Sequence, residues 1–302
     1  MVVITNFFKL IRLPNIIIIA LTQILIKKTL INPFCNTSAL SNLEFGLLIL
    51  STILIASAGN IINDYFDVKV DTLNGKSPII GNSISKEHSI ILYSFLNLIG
   101  VSIGFYLSNK IGVFSIGFIN LFCAISLFIY SSDLKRKPIF GNIVVALLSS
   151  LVLLVVPLFE LAPYLHYNTK SIFIIAGIYA IFAFLVSIIR EIVKDLEDIE
   201  GDRLAQHNTM AVTIGTKKTK NIALLLSVLL VVLILLIMIL QFKSSFYSFL
   251  YVLLALKLPI SYTIYKIKVA KTKKDFWFIS QLLKIIMLLG ILSMFIFWLI
   301  YN

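Results

Sequence analysis

Three aspartates stand close together in NDYFDVKVD, residues 63–71, directly after a long apolar run. Asp64, Asp67 and Asp71 follow the spacing DxxDxxxD. Residues three and four apart are neighbours on a helix surface, so a helix that continues through this stretch places the three carboxylates on one face, which Asn63 can join. Adjacent carboxylates repel one another, and this first acidic motif therefore predicts a cation between them.

The same spacing occurs a second time, at Asp195, Asp198 and Asp202, each 131 positions after its counterpart. Of the 14 acidic residues, three lie in the first motif and six lie between positions 191 and 202. One such cluster could be an acidic helix end that neighbouring lysine and arginine side chains neutralise. Two clusters with identical spacing favour a shared chemical role, and residues 195–202 are the second acidic motif.

Oxygen ligands without histidine or cysteine suit Mg²⁺, which keeps several waters and binds one or two carboxylates together with substrate phosphates. Four predicted membrane spans separate the two motifs, so both fall on the same side of the membrane. Two such faces opposing each other predict a site for a diphosphate that more than one Mg²⁺ holds. The candidate metal ligands are Asn63, Asp64, Asp67, Asp71, Asp195, Asp198 and Asp202.

The rest of the chain has the composition of a membrane protein. Hydrophobic residues make up 59% of it and its mean hydropathy is +1.01, whereas soluble domains are about 45–50% apolar. Lipid offers the backbone no hydrogen-bond partners, so runs of about 20 apolar residues are expected to be helices. We predict an all-α polytopic membrane protein, one domain over residues 1–302, with about nine transmembrane helices. The spans are 13–31, 44–62, 88–108, 111–130, 141–161, 171–189, 221–241, 246–266 and 276–300.

The net charge of +12 follows the topology of these spans. With the N-terminus inside, 19 lysine and arginine residues fall on inner segments and five on outer segments. The positive-inside rule therefore places the N-terminus and both acidic motifs on the inner side, and it explains the charge without nucleic acid as a partner. In a prokaryote this predicts a multi-pass plasma-membrane protein whose site faces the cytoplasm.

Some local features have simpler interpretations. The first apolar run lacks a small-residue cleavage site and other spans follow it, so we interpret it as a retained helix. Cys35 and Cys123 are isolated and predict neither a disulfide framework nor a zinc site. Pro157, Glu160 and Pro163 interrupt the register of the fifth and sixth spans.

Basic residues near the motifs are candidates for binding diphosphate oxygens through charge-assisted hydrogen bonds. Arg190 and Lys194 lie on the predicted helix that bears the second motif. Lys135 and Arg136 follow Tyr130 in YSSDLKRKP. The positive-inside pattern also accommodates each of these residues.

In combination these stretches resemble the UbiA superfamily of intramembrane prenyltransferases, over nearly the whole chain. NDYFDVKVD resembles its NDxxDxxxD motif, KDLEDIEGD its DxxDxxxD motif, and YSSDLKR, followed by Gly-Asn at 141–142, its YxxxxK segment. The resemblance implies a central cavity open to the inner face, with both motifs holding Mg²⁺ and the diphosphate of an isoprenyl donor. It implies that Lys135, Arg190 and Lys194 bind diphosphate and that Tyr130 lines the site.

One position departs from the family. Many members have an Arg-Pro pair after the first motif, whereas this chain reads NGKSPI, with Ser77 before Pro78. Lys76 is the candidate that would supply the missing charge.

The acceptor follows from a finer resemblance. KLIRLPN and REIVKDLEDIEGDR are most similar to the branch that prenylates phosphoglycerol lipids, which implies geranylgeranyl diphosphate as donor and a (geranylgeranyl)glycerol phosphate lipid as acceptor. The alternative is an aromatic acceptor, such as a quinone or tocopherol precursor.

Two other classes of membrane protein also use acidic residues in or near the membrane. CDP-alcohol phosphotransferases carry a contiguous DGxxAR-type signature, and here no Asp-Gly is followed by Ala-Arg. Ion or solute transporters bind their substrates near the membrane midplane on broken helices. The aspartates of this chain fall at span ends, which disfavours transport.

Overall fold

The computed structural model describes residues 2–35, 38–73, 77–164 and 167–301. Apart from one isolated β-bridge between Ile80 and Ile84, these residues form helices and their connections, which confirms the all-α prediction. The helices are α1 (Val2–Leu10), α2 (Leu13–Leu25), α3 (Asn42–Leu73), α4 (Lys86–Lys110), α5 (Phe118–Ser132), α6 (Phe140–Leu161), α7 (Tyr167–Glu197), α8 (Ile199–Leu204), α9 (Met210–Thr213), α10 (Thr216–Ser244), α11 (Phe246–Tyr251), α12 (Leu258–Val269) and α13 (Lys273–Tyr301). Shorter π-helical or 3₁₀ turns cover Ile26–Ile31, Phe114–Gly117, Leu134–Arg136, Ala162–Tyr164 and Val252–Lys257.

Nine segments of the described chain are long and apolar enough to cross a membrane, as predicted. The second and sixth extend past their predicted ends, to Thr72 and Glu197, because α3 and α7 continue into the acidic motifs. Pro157 and Glu160 lie within α6, which continues through them to Leu161.

The chain divides into two compact units. In the first, Met1–Lys135 with Val152–Ile174, α3 packs along α2, α4 and α5. Ser51 Oγ on α3 donates to the Gly100 carbonyl of α4 at 2.6 Å and accepts from Asn120 Nδ2 of α5 at 2.6 Å. A Cβ on Gly104 would lie 2.5 Å from the Asn120 side chain, so glycine is needed for this close approach. Such hydrogen bonds between apolar helices hold α3 in place.

The N-terminal helix of the first unit packs beside the first acidic motif. Leu10 and Ile11, at the end of α1, belong to a buried cluster with Ala58, Ile61 and Leu96. The Asn60 Nδ2 of α3 donates to the Ile11 carbonyl at 2.9 Å, where α1 ends and α2 is about to begin. The hydrophobic contacts and this hydrogen bond fix the start of α2 against α3.

The second unit comprises Arg136–Leu151 and Ile175–Asn302. In it α10, α12 and α13 pack together, and a buried cluster that includes Val186, Ile189 and Ile286 joins them to α7. The Tyr179 hydroxyl lies 2.9 Å from the Ser293 hydroxyl of α13. These contacts anchor the helix that carries the start of the second motif.

A buried ion pair joins distant parts of the first unit. Lys27 Nζ donates to Glu160 Oε1 at 2.6 Å, and these side chains are 6% and 0% exposed. The other carboxylate oxygen of Glu160 accepts from Ser38 Oγ at 2.5 Å, and Lys27 also donates to the Leu40 carbonyl at 3.2 Å. The Lys27 ammonium lies 4.4 Å from the centre of the Phe45 ring. Charges this deep are stable only because every partner is present.

Breaking the pair is expected to destabilise the protein. Glu160→Gln leaves the Lys27 charge buried without its counter-ion, which costs about 3–5 kcal/mol of unfolding free energy. The double variant Lys27→Met/Glu160→Gln is expected to recover part of that loss. Unfolding in detergent, followed by circular dichroism, measures both.

Lys28→Met is the matched control, because Lys28 follows Lys27 in the same π-helical turn but is exposed. An exposed charge contributes about 0–1 kcal/mol. If Glu160→Gln unfolds no earlier than Lys28→Met, the buried pair does not stabilise the fold.

Candidate active site

The first acidic motif lies on an unbroken stretch of α3, as its spacing predicts. Asn63 Nδ2 donates to Asp67 Oδ2 at 2.9 Å, so these two side chains share one face of the helix. The side chains of Asn63, Asp64, Asp67 and Asp71 are all half-buried. Their oxygens therefore remain within reach of a ligand.

Lys135 lies against this face. Its Nζ lies 2.6 Å from Asp67 Oδ1, 3.3 Å from Asn63 Oδ1 and 3.5 Å from the Asn63 carbonyl oxygen. The Lys135 side chain is only 9% exposed. The YSSDLKR segment thus supplies a cation to the oxygens of the first motif, and Tyr130 is half-buried on α5, five residues before it.

Arg12 is a second cation at the first motif, and the sequence did not single it out as a site residue. Its Nη2 donates to Asp64 Oδ1 at 3.1 Å. Arg12 has φ 56° and ψ 55°, left-handed values that are uncommon for a residue with a side chain. The residue lies between α1 and α2, where the hydrogen bond from Asn60 to the Ile11 carbonyl holds the chain. Arg12 is the arginine of KLIRLPN, a stretch whose resemblance indicated a branch of the family but no role for this side chain.

The second acidic motif does not lie on one continuous helix, and here the prediction was wrong. Asp195 is in α7, which ends at Glu197, and Asp202 is in α8. Asp198 lies between them with φ −99° and ψ 10°. The Asp198 N–H still donates to the Lys194 carbonyl, and the Asp202 N–H to the Asp198 carbonyl, both at 2.9 Å. The chain therefore bends at Asp198 while it keeps the helical hydrogen-bond pattern.

Polar partners orient both ends of the second motif. Asn142 Nδ2 on α6 donates to Asp195 Oδ2 at 2.9 Å, and Asn142 is buried. The His207 Nδ1 lies 3.6 Å from Asp202 Oδ1, and the His207 N–H donates to the Asp202 carbonyl at 2.8 Å. His207 carried no sequence signal, because no spacing in the chain links it to Asp202.

Arg190 and Lys194 share one carboxylate. Arg190 Nη1 donates to Glu191 Oε1 at 2.9 Å, and Lys194 Nζ donates to Glu191 Oε2 at 3.3 Å. The sequence predicted that both cations bind diphosphate, and the structure adds that Glu191 lies between them. Ser77 is exposed after the end of α3, and Lys76 lies outside the described residues.

The donor chemistry of the motifs fits Mg²⁺. Carboxylate and amide oxygens are the hard ligands that this ion binds, commonly through one or two carboxylates with water and phosphate oxygens completing the shell. In the part of the chain that the structure describes, no three side chains of histidine, cysteine, aspartate or glutamate form a closed metal cluster. At the first motif Lys135 already lies between the oxygens of Asn63 and Asp67, a position suited to a cation.

Comparison with known proteins places these motifs in a family context. The model of the UbiA prenyltransferase family matches residues 34–283. The digeranylgeranylglyceryl phosphate synthase of Methanosphaera stadtmanae is 30% identical over 253 residues, which are 83% of this chain and 87% of that protein. The synthase of the same name from Methanoregula boonei is 33% identical over 61% of this chain and 63% of its own length.

Solved structures share the fold. A structure of digeranylgeranylglyceryl phosphate synthase aligns with a TM-score of 0.69 at 24% identity, over 98% of both chains. A UbiA homologue from Archaeoglobus fulgidus, bound to DMAPP and Mg²⁺, aligns with a TM-score of 0.61 at 16% identity, over 96% of this chain and 99% of that one. At these identities the likeness concerns the helical architecture.

The hydrogen bond from Asn142 predicts a measurable effect on metal binding. Partners that orient a metal ligand typically contribute 10–100-fold in affinity, so we expect Asn142→Ala to weaken Mn²⁺ binding by about 10–100-fold. Mn²⁺ electron paramagnetic resonance in the presence of inorganic diphosphate measures this. Asn208→Ala, which removes an exposed amide from the same unit, serves as the control. Equal Mn²⁺ affinity in the two variants would contradict a role for Asn142.

Proposed function

The chain belongs to the UbiA prenyltransferase family, and we propose that it transfers a geranylgeranyl group from its diphosphate to a (geranylgeranyl)glycerol phosphate lipid. It is an integral, multi-pass membrane enzyme of the prenyltransferase class. The observation that carries the choice of acceptor is the 30% identity with a digeranylgeranylglyceryl phosphate synthase over 83% of the chain. A solved UbiA homologue bound to GPP and Mg²⁺ supports an isoprenyl diphosphate as donor.

Both acidic motifs hold the metal-bound diphosphate in this proposal. Asn63, Asp64, Asp67 and Asp71 act from the first motif, and Asp195, Asp198 and Asp202 act from the second. When bound, Mg²⁺ supplies positive charge that stabilises the diphosphate as a leaving group. Asp198 has non-helical φ and ψ between α7 and α8, so one unbroken helix does not carry the three carboxylates of the second motif.

The basic side chains bind the diphosphate directly. Lys135, Arg190 and Lys194 donate to its oxygens and stabilise the negative charge that develops as the C1–O bond of the donor breaks. The bonding electrons leave with the diphosphate, and C1 becomes an allylic cation in a cavity that excludes water. The acceptor hydroxyl oxygen then bonds to C1, and its proton passes to the released diphosphate. Tyr130, half-buried on α5, lines this site.

The orientation proposed from the lysine and arginine distribution places the site on the inner side of the membrane. Nineteen of these residues lie on the inner segments and five on the outer segments. In a prokaryotic cell the site would face the cytoplasm from the plasma membrane.

A direct assay separates the possible acceptors. Purified protein in detergent, with Mg²⁺ and radiolabelled geranylgeranyl diphosphate, receives geranylgeranylglyceryl phosphate in one tube and 4-hydroxybenzoate in another. We expect a radiolabelled product with the lipid alone. A product with 4-hydroxybenzoate alone would agree with a prenyltransferase but would show that the acceptor is aromatic and not the lipid. No Mg²⁺-dependent product in either tube would contradict the proposal.

The metal assignment predicts which aspartates are indispensable. Asp67→Ala and Asp198→Ala are each expected to lower the rate of transfer by at least about 10³-fold, because the charge that stabilises the leaving group is lost. Both variants should remain folded, and Asp67→Ala should melt earlier than Asp198→Ala because it removes the counter-ion of the largely buried Lys135. Glu87→Ala removes an exposed carboxylate at the start of α4, outside both motifs, and should leave transfer unchanged. Full activity in either aspartate variant would remove that residue from the metal site.

A further inference from the structure

Glu191 is a carboxylate that the proposed reaction does not use. It lies outside the second acidic motif, one turn before Asp195 on α7. Its two oxygens bind different cations, Oε1 to the guanidinium of Arg190 and Oε2 to the ammonium of Lys194. The Glu191 side chain thus pairs with both of the α7 residues that are proposed to bind diphosphate.

The burial of the three side chains is unequal. Glu191 is 11% exposed, whereas Arg190 is 26% and Lys194 35% exposed. The two cations are therefore more accessible to an arriving anion than the carboxylate is. In addition, the buried Arg190 Nε has no hydrogen-bond partner among the described residues, so this guanidinium retains a donor for a further acceptor.

We propose that Glu191 is a built-in competitor of the diphosphate. It holds Arg190 and Lys194 while no anion is bound, yields them to the diphosphate, and binds them again as the inorganic product leaves. The inference rests on the proposed function, because it requires that these two cations bind diphosphate.

The energetics predict the direction in which removal of Glu191 changes the affinity for diphosphate. Carboxylate and phosphate oxygens both form charge-assisted hydrogen bonds with arginine and lysine, so exchanging one for the other changes the free energy little. Without Glu191, the two partly buried cations lose their counter-ion, an unfavourable state that a bound anion relieves. Removing the carboxylate should therefore strengthen diphosphate binding. If Glu191 only oriented the two cations, its removal would weaken that binding.

Isothermal titration of inorganic diphosphate, with Mg²⁺, into the full-length protein in detergent distinguishes these outcomes. We expect Glu191→Gln to lower the Kd by about tenfold. Glu191→Asp keeps the charge, and we expect its Kd to lie closer to the wild-type value than that of Glu191→Gln. Glu87→Gln is the control, because it removes the same charge from an exposed position at the start of α4, outside both acidic motifs, and its Kd should stay within about twofold of wild type.

An unchanged or higher Kd for Glu191→Gln would overturn the inference. If that variant does not fold, Glu191→Ala is titrated in its place with the same expected direction. The titration needs neither prenyl chain nor acceptor. The transfer assay on the wild-type protein therefore tests the proposed function separately. A negative transfer assay would overturn the proposed function, whereas a negative titration would overturn only the role of Glu191.

Discussion

The repulsion among carboxylates gathered at the end of membrane-spanning helices is the constraint on which the site depends. Asp64, Asp67 and Asp71 lie on one helix, and neighbouring negative charges in a partly buried setting destabilise one another unless cations lie between them. Arg12 forms an ion pair with Asp64, and Lys135 forms an ion pair with Asp67. These cations come from two different parts of the sequence, one before α2 and one after α5, so a folded first unit is needed to bring them together.

The helices that carry these charges must be held firmly, and polar contacts within apolar surroundings serve this purpose. Ser51 and Asn120 join α3 to its neighbours, and the lack of a side chain at Gly104 lets the helices approach. The ion pair of Lys27 and Glu160 joins the residues after α2 to the end of α6. Each contact satisfies polar groups that would be costly to leave without a partner in lipid. A cation that must stay within about 3 Å of its carboxylate benefits from such a rigid support.

Much of this architecture was predictable from local sequence features. Long apolar runs give the nine spans, because the hydrocarbon thickness requires a minimum helix length. The DxxDxxxD spacing correctly predicts that the first motif lies on one helical face. The bend at Asp198 was not predictable, because KDLEDIEGD contains no proline that would mark the end of a helix. The backbone hydrogen bonds of a helix also continue through the bend. Partners from distant positions also escaped prediction. Arg12 and Asp64 are 52 residues apart, and Asn142 and Asp195 are 53 apart, so their pairing depends on how the helices pack.

The central proposal is that both acidic motifs bind the Mg²⁺-diphosphate of the donor. A geranylgeranyl thiolodiphosphate analogue that is not cleaved, titrated into the wild-type protein, Asp67→Ala and Asp198→Ala with and without Mg²⁺, tests it most directly. We expect wild-type binding to require Mg²⁺, and either substitution alone to weaken it by about 100-fold or more. Binding to Asp198→Ala with wild-type affinity and Mg²⁺ dependence would contradict the claim, because the first motif would then be sufficient.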